Sequence, residues 1–168
     1  MTTTRPEPPL IAGEREMMRG FLDYHRATLA MKCDGLTDED LRRQSSAPST
    51  LSLLGLVQHM AEVERTWFRR VINGEDIPLI WSDTGDFQAA YDASKGTRAE
   101  AFAVWETEIE HARRIERAAE SLDVTGHFAR WGEDVSLRLV MHHLIHEYAR
   151  HNGHADFLRE AIDGAVGA

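Results

Sequence analysis

Four long stretches of this chain repeat their apolar residues with the period of an α-helix, whereas the alternation typical of a β-strand is weak throughout. Apolar side chains three and four residues apart share one face of a helix, and that face must be buried against a partner. The pattern predicts an all-α fold, a four-helix bundle, for a single domain that spans residues 1–168. The predicted helices run from about Gly13 to Lys32, from Thr50 or Ser52 to Asn73-Gly74, from Thr97 to Leu122, and from just after Ser136 to Asp163-Gly164.

Local signals mark the ends of these helices. Thr97 and Glu100 have the spacing of a capping box, in which each side chain satisfies the free backbone N–H of the other residue. Gly35 is expected to end the first helix, and Thr37 to Asp40 resemble the start of a short extra turn. The apolar face of the first helix is predicted to contain Met17, Phe21, Tyr24, Thr28 and Met31, and that of the third Phe102, Trp105, Ile109, Ala112 and Glu116.

Long connections separate the predicted helices. About 22 residues join the second helix to the third, enough chain to reach about 70 Å when extended. Because helices of this size are only about 33 Å long, this connection can cross over the whole length of the bundle. The Pro-rich residues 1–12 are predicted to be a loosely ordered tail or a strap along the bundle.

The composition argues against several classes of function. The formal net charge is −9 and no stripe of Lys and Arg stands out, so no nucleic-acid partner is expected. No apolar run approaches the roughly 18 residues that a membrane span requires, so no membrane partner is expected either. Cys33 is the only cysteine, which rules out an internal disulfide and favours a reducing, cytoplasmic location.

Histidines are concentrated in the fourth predicted helix, which holds five of the nine in the chain. At about 100° per residue, Glu147 and His151 fall near the centre of its apolar face, where Leu or Ile would normally lie. His154 falls close beside them. The remaining histidines of this helix are predicted at the edge of the face or outside it, namely His143 at the edge and His142 and His146 outside.

This arrangement predicts a metal site. An unpaired buried carboxylate is very costly, and such groups persist inside proteins when they are paired or bind a metal. A Glu and a His four residues apart project side by side, with about 5–6 Å between their Cβ atoms, which suits two ligands of one ion. His59, at the edge of the apolar face of the second helix, is the best candidate for a third ligand. Three protein ligands with one open position are typical of catalytic zinc sites, whereas structural sites are closed by four.

Each of these residues also has an interpretation that needs no metal. His59 could be a histidine at the edge of the core, hydrogen-bonded to a neighbour. Glu147 and His151 could form a buried hydrogen-bonded pair. His154 could be a fourth ligand, an outer partner that orients a ligand, or a contact to the substrate.

Two other chemistries are not expected. A di-iron carboxylate site would use the spacing Glu108-x-x-His111, but this pair is predicted to lie off the buried face of its helix. Cys33 is not expected to be a nucleophile, because it lies near the end of the first helix, away from the predicted site.

Two motifs resemble the DinB-like superfamily, and more narrowly its actinobacterial branch related to mycothiol-dependent enzymes. The first is Leu53-Leu54-Gly55-Leu56-Val57-Gln58-His59-Met60 followed by Glu64 and Trp67, and the second is Glu147-Tyr148-Ala149-Arg150-His151 followed by His154, Ala155 and Asp156. The resemblance extends from about Met17 to Gly164. It implies a metal-binding four-helix bundle with a long crossover between helices two and three, whose three ligands match His59, Glu147 and His151.

The residue at the first ligand position of the last helix narrows the resemblance. Many members carry His-x-x-x-His there, whereas this sequence has Glu147 at the first position, which resembles the mycothiol-dependent maleylpyruvate isomerase and implies zinc. That isomerase has a further C-terminal domain that contributes to its active site. No counterpart is expected here, so isomerase activity is in doubt. Shorter relatives include S-transferases that use mycothiol or bacillithiol, and members with no known activity.

The resulting hypothesis is a metal-dependent S-transferase that joins a low-molecular-weight thiol, by resemblance mycothiol, to an electrophilic small molecule. Zinc is the expected metal, although nickel, iron or manganese also suit these ligands. His154 is the candidate catalytic residue, which would take the released proton or orient a ligand. The alternatives left open are a non-enzymatic metal- or ligand-binding stress-response protein, a metal-dependent hydrolase, and a helical homodimer whose histidines only pack.

Overall fold

The computed structural model describes residues 4–82 and 86–167, and most of these residues are helical. Five α-helices form the framework of this described part. A π-helical segment continues the third helix, a short 3₁₀ helix follows it, and an antiparallel hairpin precedes the last helix. In chain order the elements are α1 (Glu14–Lys32), α2 (Asp38–Arg42), α3 (Leu53–Glu64), the π-segment (Arg65–Ile72), the 3₁₀ helix (Ala89–Tyr91), α4 (Arg98–Ala118), β1 (Thr125–Phe128), β2 (Glu133–Ser136) and α5 (Leu137–Asp163).

Capping interactions define the ends of the helices. The predicted capping box at the start of α4 is present, because the Thr97 hydroxyl accepts the N–H of Glu100 while the Glu100 carboxylate accepts the N–H of Thr97. The short helix α2 begins with the same interaction between Thr37 and Asp40. At the end of α5, Gly164 has a φ of +76°, the left-handed conformation that glycine adopts most easily. The four long helices therefore begin and end within a few residues of their predicted positions.

Contacts at both ends show that α1 and α5 run in the same direction. Glu14 pairs with Arg138 where the two helices begin, with 2.9 Å between the charged atoms. Where they end, the Arg159 guanidinium donates to the carbonyl oxygen of Lys32 over 3.1 Å.

Contacts near both ends show that α3 and α4 are also parallel. Gly96, just before α4, lies against Leu54 at the start of α3. Farther along, Glu108 of α4 pairs with Arg65 and Arg69 of the π-segment, over 2.6 and 3.1 Å. The connection between Ile72 and Arg98 therefore returns to the end at which α3 begins.

The predicted buried face is confirmed for α4, whereas in α1 only Thr28 of the five predicted residues is buried. All five residues predicted for the face of α4 are buried. In α1, Phe21 is 39% exposed, and the residues at the core are instead Met18, Leu22, Arg26 and Leu29. The difference arises because Arg26 is buried by pairing with Glu64 of α3, and an arginine at the centre of a face is not counted as apolar.

The hairpin is a correction to the prediction that strands are absent. Its strands β1 and β2 pair from Thr125 opposite Ser136 to Phe128 opposite Glu133. Both strands are short and mostly polar, so they carry no alternating apolar pattern. Gly126 packs directly on the backbone of Val71, where an added Cβ would overlap the Val71 carbonyl oxygen. The hairpin can therefore lie close against the π-segment.

Residues 4–12 lie along α1 at the start of the chain. The Pro9 ring contacts Gly20, and the Arg5 guanidinium lies over the Tyr24 ring, 4.4 Å from its centre. The first three residues of the predicted tail lie outside the described residues. Within the described ranges, no helix combines the length and the apolar character that crossing a bilayer requires.

Candidate metal centre

Two helices that are distant in the sequence bring the candidate ligands together. His59 lies on α3, and Glu147 and His151 lie one turn apart on α5. Glu147 Oε2 is 3.5 Å from His59 Nε2 and 3.3 Å from His151 Nε2. One ligand atom from each of the three residues lies within 4.8 Å of the other two. The structure therefore gathers in one cluster all three residues that the sequence proposes as ligands.

Two of the three separations in this cluster are close to those between ligands of a tetrahedral cation. Two atoms that each lie about 2.0–2.1 Å from a tetrahedral metal are about 3.4 Å apart, close to the two distances from Glu147 Oε2. The contact of His59 Nε2 with Glu147 lacks hydrogen-bond geometry, and this buried nitrogen has no other partner among the described residues. A buried polar atom without a partner is costly. Two imidazoles and one carboxylate thus form a donor set that suits a divalent ion such as zinc.

The electrostatics of the cluster favour the forms that bind a metal. Interactions with the imidazoles of His151 and then His59 lower the pKa of the Glu147 carboxyl far below its usual range, against the opposing effect of burial. Burial lowers the pKa of His151, although the Glu147 carboxylate acts in the opposite direction. At neutral pH the cluster therefore presents a carboxylate beside a neutral imidazole, as metal binding requires.

His154 lies behind His151 rather than among the ligand atoms. Its Nδ1 is 3.2 Å from Nδ1 of His151, whereas His151 approaches Glu147 through Nε2. Burial lowers the pKa of His154, so this imidazole is neutral and can accept a hydrogen bond. A histidine that binds a metal commonly donates its second ring N–H to such a neighbour, which fixes its tautomer and orientation. The position suits an orienting partner better than a fourth ligand.

The other histidines of α5 lie where the helical period predicts. His142 and His146 are exposed. His143 lies at the edge, with its ring centre 4.5 Å from that of Trp67 and its Nε2 3.8 Å from Glu147 Oε1.

Cys33 and Glu108, the residues of the two chemistries that were not expected, are both buried. Cys33 is fully buried, and burial raises the pKa of its thiol to about 12, which leaves it unreactive at neutral pH. Glu108 is buried, so its predicted position off the buried face is wrong. Its carboxylate is instead matched by the guanidinium groups of Arg65 and Arg69. The charge of Glu108 is thus compensated within the protein.

Tyr91 is a residue beside the cluster that the sequence did not reveal. Its ring stacks on that of His59, with the centres 4.3 Å apart, and its hydroxyl lies 3.5 Å from His151 Nε2. Burial and the charge of Glu147 raise the pKa of Tyr91 to about 12, so the hydroxyl keeps its proton at neutral pH. No local signal could identify Tyr91, because it reaches the cluster from the short 3₁₀ helix in the long connection before α4.

Glu62 is a second residue of this region that was not among the predicted site residues. It is only 3% exposed, and its Oε1 accepts the backbone N–H groups of Ile80, Trp81 and Ser82 over 2.9, 2.5 and 2.9 Å. A signal for it exists in the sequence. Glu62 lies three residues after His59, so the helical period places both on the same side of α3.

A cleft of about 230 Å³ opens beside the cluster and is lined in part by His59 and Glu147. Aromatic rings from the π-segment and the hairpin form its wall. The ring centre of Trp67 lies 4.7 Å from that of Phe128 and 5.7 Å from that of Trp131. Trp131 nevertheless stays 53% exposed. A concave aromatic surface next to a few polar groups is typical of a site for small molecules.

In this helical protein, imidazole and carboxylate side chains meet beside an aromatic cleft. This arrangement is typical of proteins that bind small molecules. Comparison with protein families assigns the chain more closely. Residues 17–164 match the family described as Mycothiol-S-transferase. Because this match covers most of the chain, the protein belongs to that family, which confirms the predicted relation to mycothiol-dependent members of the DinB-like superfamily. A comparison with curated proteins finds no match.

Proposed function

We propose that this protein is a metal-dependent S-transferase that joins a low-molecular-weight thiol, mycothiol in view of its family, to an electrophilic small molecule. The observation that carries the proposal is the meeting of ligand atoms from His59, Glu147 and His151 within 4.8 Å, beside an aromatic cleft. Zinc is the proposed metal. The proposed fold is the four-helix bundle with a long crossover that the resemblance implies.

Each ligand residue has a distinct part in this proposal. His59 and His151 would hold the cation through Nε2, and Glu147 would hold it through a carboxylate that lowers its effective charge. When bound, the cation would lower the pKa of a coordinated thiol, which is about 8.5 when free, and so supply the thiolate at neutral pH. His154 would keep His151 in the required tautomer, and its contact with the far side of His151 favours this role over uptake of the proton that the thiol releases.

The aromatic cleft would bind the electrophile. Trp67, Phe128 and Trp131 offer rings against which an apolar or aromatic body can pack. The electron pair of the sulfur would then form the new C–S bond while a bond from the attacked carbon to its leaving group breaks and that group takes the bonding electrons. The proton of the thiol would pass to solvent. We therefore expect substrates whose electrophilic carbon is attached to an apolar group.

The position of His154 supports a transferase over a protein that only binds metal. A closed site would need a fourth protein ligand, and His154 was the candidate for it. Its contact with the far side of His151 instead leaves a coordination position for a substrate. The cytoplasmic location, the absence of a nucleic-acid partner and a homodimer stay predictions from the sequence.

Elemental analysis of protein purified without a histidine tag tests the proposal. We expect about one zinc per chain in the wild type and less than a tenth of that in His59→Ala and Glu147→Ala, with helicity retained in both. His142→Ala is the matched control, since it removes an exposed imidazole from the same helix as Glu147 and should keep the metal.

The loaded wild type should then consume mycothiol in the presence of an aromatic electrophile, and the two ligand variants should not. Wild-type protein that binds no metal, even after reconstitution, would rule out the proposed mechanism. Equal thiol consumption by the metal-free protein would do the same.

A further inference from the structure

Tyr91 contacts both histidines of the cluster, although it comes from a part of the chain that supplies none of the proposed ligands. Its ring lies nearly parallel to that of His59, at an interplanar angle of 17°. Its hydroxyl lies 3.5 Å from His151 Nε2, the same nitrogen that faces Glu147. The hydroxyl therefore stands at the edge of the ligand cluster itself.

The backbone around Tyr91 is held firmly in this position. The carbonyl oxygen of Tyr91 packs on Gly55, one helical turn before His59, and an added Cβ at Gly55 would overlap that oxygen. The neighbouring Ala90 is fully buried. The backbone that carries Tyr91 is thus held against α3.

The hydroxyl has no close partner within the described part of the protein. A separation of 3.5 Å is longer than a normal hydrogen bond, and it is the only hydrogen-bond contact of this hydroxyl among residues 4–82 and 86–167. A half-buried phenol normally finds a partner for its proton. Bonds from zinc to nitrogen and sulfur are only about 2.0–2.3 Å long, so an atom held by the same ion as His151 lies within reach of this O–H.

We propose that the Tyr91 hydroxyl donates a hydrogen bond to the sulfur of the thiol substrate and is therefore a catalytic residue. This inference rests on the proposed transferase function. A hydrogen bond from a neutral donor to an anionic acceptor is stronger than one between neutral groups. The hydroxyl thus favours the thiolate over the thiol.

The variant Tyr91→Phe tests this role, because it keeps the stacked ring and removes only the hydroxyl. We expect unchanged zinc content, and binding of mycothiol to the zinc-loaded protein that is weaker by about tenfold or more at pH 7, measured by calorimetry without an electrophile. Tyr91→Leu serves as the comparison, since it also removes the ring from His59 and should lower the affinity for zinc. His142→Ala should match the wild type in both measurements.

The outcomes separate this inference from the function on which it rests. Wild-type affinity for mycothiol in Tyr91→Phe would overturn the role of the hydroxyl and leave the transferase proposal intact. Loss of zinc from Tyr91→Phe would also overturn it, since the hydroxyl would then act on the metal and not on the thiol. A wild type that holds zinc but binds no thiol would contradict both proposals.

Discussion

Two clusters that both join α3 to α5 surround a glutamate with different partners, and the first of them also includes Arg26 of α1. In the first, both oxygens of Glu64 are hydrogen-bonded, to the Arg26 guanidinium over 2.8 and 2.9 Å and to the Tyr148 hydroxyl over 2.7 Å. In the second, Glu147 faces two imidazoles, and the Nε2 of His59 has no hydrogen bond to any residue that the structure describes. Glu64 has no exposed surface, whereas the Glu147 side chain is 22% exposed.

Burial of a carboxylate does not by itself mark a functional site. The more deeply buried Glu64 has a full set of partners and requires nothing from outside the protein. The less buried Glu147 belongs to a set of candidate ligand atoms in which His59 Nε2 has no hydrogen bond within the described residues. Incomplete pairing, and not depth, is what distinguishes the candidate site from the structural cluster.

The largest expected effect comes from breaking the structural cluster. Arg26→Met leaves the charge of Glu64 buried and uncompensated, which should lower the free energy of unfolding by about 3–5 kcal/mol. Urea denaturation measures it. Arg19→Met is the control, because Arg19 is 44% exposed and shares Glu116 with Arg15, so its loss should cost less than about 1 kcal/mol. A decrease of less than about 1 kcal/mol for Arg26→Met would show that the pair of Arg26 and Glu64 does not stabilise the fold.

The next effect comes from completing the second cluster. Zinc at 100 to 1,000 times its dissociation constant should raise the free energy of unfolding by about 3–4 kcal/mol, because it binds only the folded protein. Chelation should remove this increment, and Glu147→Gln should never show it. Glu160→Gln, which changes an exposed carboxylate on the same helix, should retain it. Thermal unfolding with and without zinc shows whether the increment depends on Glu147.

A smaller effect is expected from the hydroxyl of Tyr148. Tyr148→Phe removes a donor to Glu64 and leaves the Trp105 indole N–H, now 2.9 Å from that hydroxyl, without an acceptor. The free energy of unfolding should fall by about 1–3 kcal/mol, while the zinc content stays the same. Tyr24→Phe is the matched control, because the Tyr24 side chain makes no hydrogen bond among the described residues. Loss of zinc from Tyr148→Phe would mean that the two clusters are not independent.

The smallest effect concerns pH. Because burial lowers the pKa of His151, the unfolded chain binds a proton below about pH 6.5 that the folded, metal-free protein does not. The free energy of unfolding should therefore fall as the pH decreases from 6.5 towards 5. In His151→Asn this decrease should be shallower. Denaturation of both metal-free proteins at several pH values makes the comparison, and equal slopes would contradict it.

Features that depend on neighbouring residues were predictable from the sequence. The capping boxes, the glycine at the end of α5 and the face of α4 follow from spacing alone. The three candidate ligands also follow from spacing, because a carboxylate and a histidine at the centre of an apolar face stand out. Glu64 does not stand out, since the partner that explains it, Arg26, lies 38 residues away.

Features that depend on distant contacts were not predictable. Arg26 rotates the buried face of α1 because it must reach Glu64. The hairpin forms because Gly126 can approach the backbone of Val71, which no pattern within the strands reveals. Tyr91 reaches His59 through an irregular connection. In each case a polar side chain or a backbone group of another element, and not the local period, decides the position.

The contact between the Tyr91 carbonyl and Gly55 has a consequence for protein engineering. His59, Glu147 and His151 could be copied onto any pair of antiparallel helices, and the copy would reproduce the ligand atoms alone. Tyr91 would be lost from such a graft, because its place depends on Gly55 beneath its carbonyl. A minimal transplant of this centre must therefore include the 3₁₀ helix that carries Tyr91 as well as the two helices.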